Sequence, residues 1–285
     1  MASRPAPLAA GLYVVATPIG NLRDITLRAL DVLAGVDLVL AEDTRVAGRL
    51  LSAHGLSRPL ERYDDHAGAR ARPAILERLA GGARIALTSD AGTPLVSDPG
   101  YRLVVEAAAQ GTPVFPVPGA CAAIAALSVA ALPTDRFVFA GFPPAKSVAR
   151  RAFFAELAPI RSTLIFYEGI SRLAASLADM AQVFGARPAA VARELTKLHE
   201  TVIRASLGEL AADPRLSAAK GEAVIVVGPG PERAAATDAE ADAALAAALE
   251  QLSPARAAAQ VASACGRDRR ELYLRALALQ DRARR

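Results

Sequence analysis

Two acidic, glycine-containing turns follow one another in the first half of the chain, and their residue types are the best suited to chemistry. Ser89-Asp-Ala-Gly-Thr-Pro94 is followed closely by Ser97-Asp-Pro-Gly100. Their glycines allow the backbone to approach a ligand, and Asp90 and Asp98 can accept hydrogen bonds from hydroxyl or amino groups. The same pattern is also typical of two successive β-turns closed by aspartate side chains. It therefore predicts either a ligand-binding loop or a pair of structural turns.

Several common catalytic and cofactor-binding motifs are absent. No GxxxxGK[ST] occurs, which excludes a P-loop nucleotide site, and no GxGxxG follows the first apolar run. A GxSxG nucleophile motif is missing as well. The chain has 2 cysteines and 3 histidines, far apart and outside CxxC or HExxH patterns, so we predict neither a disulfide framework nor a metal site.

The positive charge of the chain is unevenly distributed along the sequence. The 285 residues include 33 Lys and Arg against 29 Asp and Glu, a net charge of +4. Residues 254–285 hold eight Arg against three acidic residues, or +5, which leaves −1 for everything before them. Such segregation favours a polyanionic partner such as nucleic acid, although a solvated helix face has the same composition.

The elements that must position these residues alternate between strands and helices. Over residues 1–132, β-branched runs alternate with amphipathic stretches, which predicts an α/β domain with a mostly parallel sheet. Residues 133–230 repeat this texture as a second α/β domain, 231–253 form an Ala- and acid-rich linker, and 254–285 form a helix-turn-helix-like basic tail. The uncharged stretch 111–133 is long enough to cross a membrane, but its prolines favour a buried helix over residues 120–132.

Four loops are predicted to follow strands of the first domain. They cover residues 17–24, 42–45, 89–100 and 118–120. In open parallel sheets ligands bind beyond the carboxyl ends of the strands, so we expect these loops to meet around one pocket.

Several longer motifs follow one another along the chain. The first is Leu12-Tyr-Val-Val-Ala-Thr-Pro-Ile-Gly-Asn21, and Ala41-Glu-Asp-Thr-Arg45 and the two acidic turns come next. The later motifs are Pro118-Gly119, Leu132-Pro-Thr-Asp-Arg-Phe137, Gly141-Phe-Pro-Pro-Ala-Lys146, Phe166-Tyr-Glu168 and Arg193-Glu-Leu-Thr-Lys197. In this order, over residues 11–227, the motifs resemble the tetrapyrrole-methylase superfamily, and within it the branch that methylates ribosomal RNA.

The resemblance implies a fold, a cofactor and a substrate. The fold is two α/β domains with S-adenosyl-L-methionine in the cleft between them, plus a small helical C-terminal tail. The reaction is methylation of the ribose 2′-hydroxyl of a decoding-centre cytidine in 16S rRNA, within the 30S subunit, by a cytoplasmic homodimer without membrane association. The residues implied to lie along the cofactor are Pro18, Gly20, Asp90, Gly92, Thr93, Ala120, Phe166, Tyr167 and Ala192.

A ribose hydroxyl is a weak nucleophile, so a positioned base is expected to assist the methyl transfer. The first candidates are Glu42 and Asp43, which follow a strand close to the first cofactor loop. Glu194 and Lys197 form the second pair of candidates. Alternatively, Glu42-Asp43 caps the following helix, and Lys197 contacts a phosphate or lies on the surface.

Basic residues are expected to bind the phosphates of the RNA. Lys146, Arg150 and Arg151 form one short cluster, which a surface helix explains nearly as well. Arg267, Arg269 and Arg270 lie in the tail between two predicted helices, a geometry that some proteins use to hold nucleic acid. A hairpin that packs a dimer is the alternative for the tail.

Two other functions fit parts of this pattern. A precorrin-type tetrapyrrole methyltransferase shares the fold and the cofactor but methylates carbon. A non-catalytic RNA-binding assembly factor that retains a cofactor pocket belongs to a different class of protein.

Overall fold

The short apolar runs of the first domain form a five-stranded sheet in which all described pairings are parallel. The computed structural model describes residues 7–64, 68–216, 221–230, 237–265 and 267–283. The strands are β1 (Gly11–Val15), β2 (Leu38–Ala41), β3 (Leu60–Arg62), β4 (Arg84–Thr88) and β5 (Val114–Val117). Their order is β3-β2-β4-β1-β5, so the carboxyl ends of all five lie at one edge.

Helices connect these strands and cover both faces of the sheet. They are α1 (Leu27–Gly35), α2 (Thr44–Ala53), α3 (Gly68–Ala80), α4 (Tyr101–Ala109) and α5 (Ala122–Val129). The hydroxyl of Thr26 accepts a hydrogen bond from the Ala29 N–H and caps α1. Alternate residues of β1 enter separate cores, because Leu12 packs on one face while Tyr13 and Val15 pack on the other.

The second sheet is mixed. It contains β6 (Phe137–Phe139), β7 (Thr163–Gly169), β8 (Pro188–Arg193), β9 (Thr201–Ser206) and β10 (Glu222–Val227), in the order β6-β7-β10-β8-β9. Only β6 and β7 pair in parallel; the other described pairings are antiparallel. The helices that connect these strands are α6 (Ser147–Leu157), α7 (Ile170–Phe184) and α8 (Leu207–Ala212).

Helix α5 brings the two sheets together. Its small residues Ala123 and Ala126 pack on the face of the second sheet opposite α7, against residues such as Ile165 and Val226. Alanine side chains allow a helix to lie close to a sheet. The helix predicted over 120–132 forms as α5, but it is buried on one face only, since Ile124 and Val129 are exposed. No helix in the described part of the chain is long and apolar enough to cross a membrane.

The residues after Gly230 form a separate compact unit. It contains α9 (Asp238–Leu249), α10 (Pro254–Cys265) and α11 (Arg269–Ala283), whose shared core includes Leu245, Val261 and Leu272. The sequence predicts a linker over 231–253, but residues 238–249 of this range form α9. Alanine-rich, acidic composition is typical of linkers, and here the helix is stabilised by packing on its neighbours rather than by an apolar face of its own.

Including α9 changes the distribution of charge. Residues 231–285 hold nine Arg against eight acidic residues, a net charge of +1, which leaves +3 for residues 1–230. Arg275 forms ion pairs with Asp242 at 2.8 Å and with Asp238 at 3.0 Å. The positive excess expected of the tail is thus largely neutralised by the helix that packs against it.

Candidate functional site

The loops that follow β1 and β4 are tied together at the carboxyl edge of the first sheet. The Thr17 N–H donates to the Gly92 carbonyl at 2.8 Å, and the Gly92 N–H donates back to the Thr17 carbonyl at 3.1 Å. The Thr17 hydroxyl donates to the Ser89 carbonyl at 3.1 Å. Gly92 has φ of 84°, a conformation that favours glycine. Two loops predicted from composition therefore form one rigid floor.

The remaining two loops join the same floor. The Thr93 hydroxyl donates to the Ala120 carbonyl at 3.0 Å, which links the loop after β4 to the loop after β5. The Asp43 N–H donates to the Asp90 carboxylate at 3.0 Å and links the loop after β2. All four loops predicted to follow strands meet at this edge, as expected for a parallel sheet.

A cavity of about 680 Å³ opens between this floor and the second sheet. The floor contributes Asp90, Gly92 and Thr93, and the second sheet contributes Tyr167 and Ala192. We call this cavity the cleft. A second cavity of about 590 Å³, lined by Pro18 and Gly20 among others, adjoins the cleft and shares Asp90 and Lys197 with it. The structure thus brings together seven of the nine residues predicted to lie along the cofactor, namely Pro18, Gly20, Asp90, Gly92, Thr93, Tyr167 and Ala192.

Gly20 is required by the close approach of the second sheet. A Cβ atom at this position would lie 2.5 Å from Cγ of Lys197 and 3.0 Å from the Leu195 carbonyl oxygen. The turn after β8 therefore packs directly on the loop after β1. A larger residue at position 20 would push the two walls of the site apart.

The cleft is strongly acidic. Its lining includes the carboxylates Glu42, Asp90, Asp98, Glu194 and Glu222. Lys197 is the cationic side chain among the described residues that line it, and its Nζ lies 3.0 Å from Oε1 of Glu194. Burial, reinforced by the negative charges of Glu42, Asp90 and Glu222, raises the pKa of Asp98 to about 7. A positively charged ligand would relieve this repulsion.

Aromatic rings form the opposite wall of the cleft. The rings of Tyr167 and Phe142 lie 5.5 Å apart and nearly perpendicular to each other, and Phe142 is partly exposed. The Tyr167 hydroxyl accepts a hydrogen bond from the Ala123 N–H at 3.1 Å, and burial raises the pKa of Tyr167 above its usual range. These rings offer flat surfaces to a heterocycle.

Phe166 lies on the other face of β7. Its side chain is 0% exposed and packs against Phe154 and Phe184 in the core under α6 and α7. This placement contradicts the prediction that Phe166 borders the cofactor. Successive residues of a strand point to opposite faces, so only one of the pair Phe166 and Tyr167 can face the cleft.

Left-handed backbone conformations concentrate beside the cleft. Leu95 and Ser97 have φ of 74° and 65°, and Glu194 and Thr196 have φ of 49° and 67°. Such conformations are costly for residues with a Cβ atom and cluster at functional sites in proteins. Their position in the loops after β4 and β8 supports a binding role for both loops.

The first pair of predicted bases is divided by the structure. Glu42 lines the cleft, but the Asp43 carboxylate accepts a hydrogen bond from the Arg45 N–H at 2.8 Å and caps α2. Asp43 also forms an ion pair with Arg45 at 2.6 Å, which holds its pKa well below the usual range. This arrangement contradicts a role for Asp43 as a base, since its carboxylate is already occupied by a helix cap.

The second pair, Glu194 and Lys197, lines the cleft together. Ala120 reaches the site only through its carbonyl oxygen, which accepts the Thr93 hydrogen bond. Among the described residues no group of His, Cys, Asp and Glu is arranged to hold a metal ion.

The residues predicted to bind RNA are in different environments. Arg150 is buried and forms an ion pair with Asp179 at 2.6 Å, which contradicts a role in phosphate binding. Arg151 lies 3.7 Å from the same carboxylate and is partly exposed, and Lys146 is exposed. The sequence alone does not reveal whether an arginine on a helix faces solvent or pairs with a buried acid.

In the C-terminal unit, Arg267 is held by Asp238 at 2.6 Å and by Glu271. It therefore contributes to the packing of α9 and α11. Arg269 and Arg270 are exposed at the start of α11. Only this pair remains available to a polyanion among the three arginines predicted for the tail.

The cleft also contains polar and aromatic residues that the sequence does not predict as catalytic or cofactor-binding. Asp98 is predicted only as a possible hydrogen-bond acceptor in its turn, Phe142 follows Gly141 in a family motif, and Glu222 begins β10. The acidic turn was a usable signal for Asp98. Glu222 and Phe142 reach the cleft through the pairing order of the second sheet, which no local pattern reveals.

Fold and site together define an α/β protein with a cleft between two dissimilar sheets, and the family comparisons agree with this architecture. The family model for tetrapyrrole (corrin/porphyrin) methylases matches residues 11–211, and a model described as RsmI C-terminal HTH domain matches residues 235–280. The chain belongs to the tetrapyrrole methylase family.

Curated relatives match along nearly the whole chain. Ribosomal RNA small subunit methyltransferase I of Erythrobacter litoralis is 53% identical over 274 residues, covering 96% of this chain and 97% of the relative. The proteins of the same name from Pseudomonas aeruginosa and Escherichia coli O157:H7 are each 47% identical, covering 95% and 94% of this chain and 98% and 95% of the relatives.

Solved structures share the fold of the first unit. The methyltransferase CobJ superposes with a TM-score of 0.59 at 21% identity, over 77% of this chain and 94% of that one. Uroporphyrin-III C-methyltransferase from Thermus thermophilus, complexed with S-adenosyl homocysteine, superposes with a TM-score of 0.54 at 20% identity, over 76% and 97%. These likenesses confirm the predicted fold of two α/β domains, and the predicted C-terminal helical addition is the separate unit that contains α9, α10 and α11.

Proposed function

We propose that the chain is an S-adenosylmethionine-dependent methyltransferase of small-subunit ribosomal RNA that acts on the ribose 2′-hydroxyl of a decoding-centre cytidine. The observation that carries the proposal is the acidic cleft between the two sheets. It occurs in a chain whose curated relatives, 47–53% identical over nearly their whole length, are named for methylation of this RNA.

The cleft suits S-adenosylmethionine in volume and charge. Its volume of about 680 Å³ is in the range of small-molecule sites. The cofactor carries a sulfonium and an ammonium group, and the carboxylates of Asp90 and its neighbours attract both. The rings of Tyr167 and Phe142 offer a wall for the adenine, and Gly92 lets the ligand approach the backbone.

We assign the predicted cofactor residues on this basis. Pro18, Gly20, Asp90, Gly92 and Thr93 lie along the cofactor from the first sheet, with the Ala120 carbonyl behind Thr93. Tyr167 and Ala192 border it from the second sheet.

When bound, S-adenosylmethionine supplies the methyl group: the ribose oxygen bonds to the methyl carbon as the carbon–sulfur bond breaks and leaves its electron pair on sulfur. The residues of this chain hold the ribose oxygen in line with the methyl group and accept its proton. Positioning by itself lowers the barrier to methyl transfer, and proton transfer to a base lowers it further. Glu42 and Glu194 both line the cleft and remain candidates for holding the hydroxyl group. Lys197 forms an ion pair with Glu194 at 3.0 Å.

Electrostatics favours RNA over a tetrapyrrole substrate. Tetrapyrrole precursors carry several carboxylates, which the acidic cleft would repel. An RNA presents a neutral ribose hydroxyl to the cleft and keeps its phosphates outside. A non-catalytic assembly factor would bind the cofactor without transferring the methyl group.

One experiment separates these functions. The purified protein is incubated with tritiated S-adenosylmethionine and 30S subunits from a strain that lacks the corresponding gene, and the nucleosides are then analysed. Label in 2′-O-methylcytidine supports the proposal. Label in a base, label in a tetrapyrrole substrate only, or cofactor binding without turnover would each overturn it.

The predicted homodimer and the predicted cytoplasmic location stay predictions. Sedimentation equilibrium of the purified chain tests the first, and fractionation of cells tests the second.

A further inference from the structure

A third cavity lies next to the cleft, on the side of α3 and α4. Its volume is about 430 Å³, and its lining combines the end of β3, at Tyr63 and Asp64, with α3 residues Gly68 and Arg72 and with the segment 98–102. Asp98 and Pro99 line both this cavity and the cleft. We call it the side cavity. The side cavity and the cleft therefore meet at these two residues, and a group placed at Asp98 borders both cavities.

Asp98 is the polar side chain of the pair that the two cavities share. The acidic groups that raise its pKa reach it from three directions: Glu42 follows β2, Asp90 follows β4, and Glu222 begins β10. The pKa of Tyr167, on β7, is raised in part by the charge of Asp98. The side cavity adds Tyr63, Asp64, Arg72 and Arg102, and the cleft also contains Glu194 and Lys197.

The side cavity has a flat aromatic ring at its mouth. Tyr101, the first residue of α4, lines this cavity and is 71% exposed. Exposed aromatic rings serve as stacking surfaces for unpaired bases in proteins that bind single-stranded nucleic acid.

Next to this ring lies an arginine without an acidic partner among the described residues. Arg102 is exposed, whereas Arg72 in the same cavity pairs with Glu106 at 2.8 Å and is fixed by it. Arg45, Arg78 and Arg84 of the same sheet are likewise paired. An unpaired guanidinium beside an exposed aromatic ring is the chemistry that binds a nucleotide, because it offers a phosphate contact and a stacking surface together.

We propose that the side cavity holds the nucleotide that is methylated, with its base on Tyr101, its phosphate at Arg102 and its ribose hydroxyl at Asp98. Asp98 accepts the hydroxyl proton, the ribose oxygen bonds to the methyl carbon, and the carbon–sulfur bond breaks with its electron pair left on sulfur. Asp98 then returns the proton to water. This inference rests on the proposed function, since it names the substrate subsite and the proton acceptor of that reaction.

The first test measures RNA binding separately from methyl transfer. Binding of a fluorescently labelled decoding-region RNA is followed by anisotropy for wild type, Tyr101→Ala and Arg102→Ala, and cofactor affinity is measured by calorimetry. We expect each variant to weaken RNA binding about tenfold, the scale of one lost stacking contact, while cofactor affinity is unchanged. Arg102→Ala should also reduce the slope of log affinity against log salt by about 0.7–0.9, as for one phosphate contact.

Matched controls keep this test specific. Tyr101→Phe retains the ring and should bind RNA like wild type. Arg161→Ala removes an exposed arginine located between α6 and β7, away from the side cavity, and removes the same charge. If Tyr101→Ala and Arg102→Ala bind RNA as tightly as the controls, the side cavity is not the nucleotide site.

The second test addresses Asp98. Only the ionised carboxylate accepts a proton, so wild-type kcat/KM for the cofactor should rise with pH with a midpoint near 7, the raised pKa of Asp98 in the ligand-free protein. Asp98→Asn should lower kcat at least 100-fold and remove this pH dependence, with unchanged affinity for RNA and for the cofactor. An unchanged pH profile in Asp98→Asn, or a loss confined to cofactor affinity, overturns the assignment.

Failure of the inference differs from failure of the proposed function. If wild type methylates the 30S subunit but the side-cavity variants behave like the controls, the function stands and the subsite is wrong. If wild type transfers no methyl group to RNA, the function is wrong and the subsite falls with it.

Discussion

The two sheets build the cleft in different ways. The first is parallel throughout its described pairings, so all its carboxyl-end loops gather at one edge and bring Glu42, Asp90 and Asp98 together. The second is largely antiparallel, so its connections alternate between edges and it contributes mainly the face that carries Tyr167 and Ala192. The first sheet therefore supplies three of the five carboxylates of the cleft, and the second supplies the aromatic wall together with Glu194, Glu222 and Lys197.

The largest expected effect concerns stability in the second sheet. Arg150 and Asp179 are buried, with side chains 5% and 9% exposed, and pair at 2.6 Å between α6 and α7. Arg150→Ala leaves a buried carboxylate without its partner, so the free energy of unfolding should fall by about 3–5 kcal/mol. Urea denaturation followed by circular dichroism measures this change.

Arg151→Ala is the control for that variant, because its partly exposed pair should contribute less than about 1 kcal/mol. If Arg150→Ala instead weakens RNA binding at unchanged stability, the second sheet takes part in substrate recognition and the division between the sheets fails.

The next effect concerns ligand binding at the first sheet. Asp90→Ala removes a carboxylate that lines both the cleft and the adjoining cavity. A hydrogen bond to a charged group contributes about 1.5–3 kcal/mol, so the cofactor dissociation constant should rise about 10- to 100-fold. Calorimetry with S-adenosyl homocysteine measures it, and Asp135→Ala, an exposed acid outside the cleft, is the control. Unchanged affinity in Asp90→Ala would mean that the acidic turns are structural.

A smaller effect concerns the folding stability that the protein loses by placing Asp98 among other carboxylates. The pKa of Asp98 is raised to about 7, so between its unfolded value of 3.8 and 7 the native state binds the extra proton and stability falls as pH rises. Asp98→Asn removes this loss. Because the group is only half-buried, we expect a gain of about 1–2 kcal/mol at pH 8 and little change at pH 4.

Thermal unfolding at both pH values tests this prediction for Asp98→Asn. A stabilised but inactive variant would show that the first sheet tolerates repulsion for the sake of its chemistry. Equal stability at pH 8 would mean that the carboxylate is ionised at little cost, and that the contrast in charge between the two sheets is weaker than the structure indicates.

The smallest effect tests whether RNA binding extends beyond the two sheets. Arg269→Ala combined with Arg270→Ala removes the exposed pair at the start of α11. If both contact phosphates, the slope of log affinity against log salt should fall by about 1.4–1.8 without a change in cofactor affinity. Arg256→Ala, exposed on α10, is a matched control for charge. No change in slope would confine RNA binding to the first unit.

Much of the fold could be predicted because it depends on local pattern. The alternation of strands and helices over residues 1–132 and the parallel sheet follow from runs of apolar residues, and both are present. The prediction fails for the linker over 231–253, which contains α9. This helix lacks a distinct apolar face, so packing on its neighbours decides its existence.

The candidate site could be predicted in part. The four loops meet because strand order in a parallel sheet brings carboxyl ends together, and seven of the nine predicted cofactor residues line the two adjoining cavities. Phe166 and Arg150 could not be placed, since a motif gives the residue but not the face of its strand or helix. Nor does the motif show that the carboxylate of Asp43 forms an ion pair with Arg45 and is therefore not available as a base.

The sequence by itself determined the alternation of strands and helices, the loops that carry polar residues, and the family to which the chain belongs, because these depend on residue type and spacing. Only the tertiary structure decided which carboxylates share the cleft and which cations are paired. It placed Glu222 from the second sheet beside Asp98 from the first, and it set the acids of α9 against the arginines of α11. The physical reason is that a charge acts through distance and burial, and both are set by strand order and helix packing rather than by position along the chain.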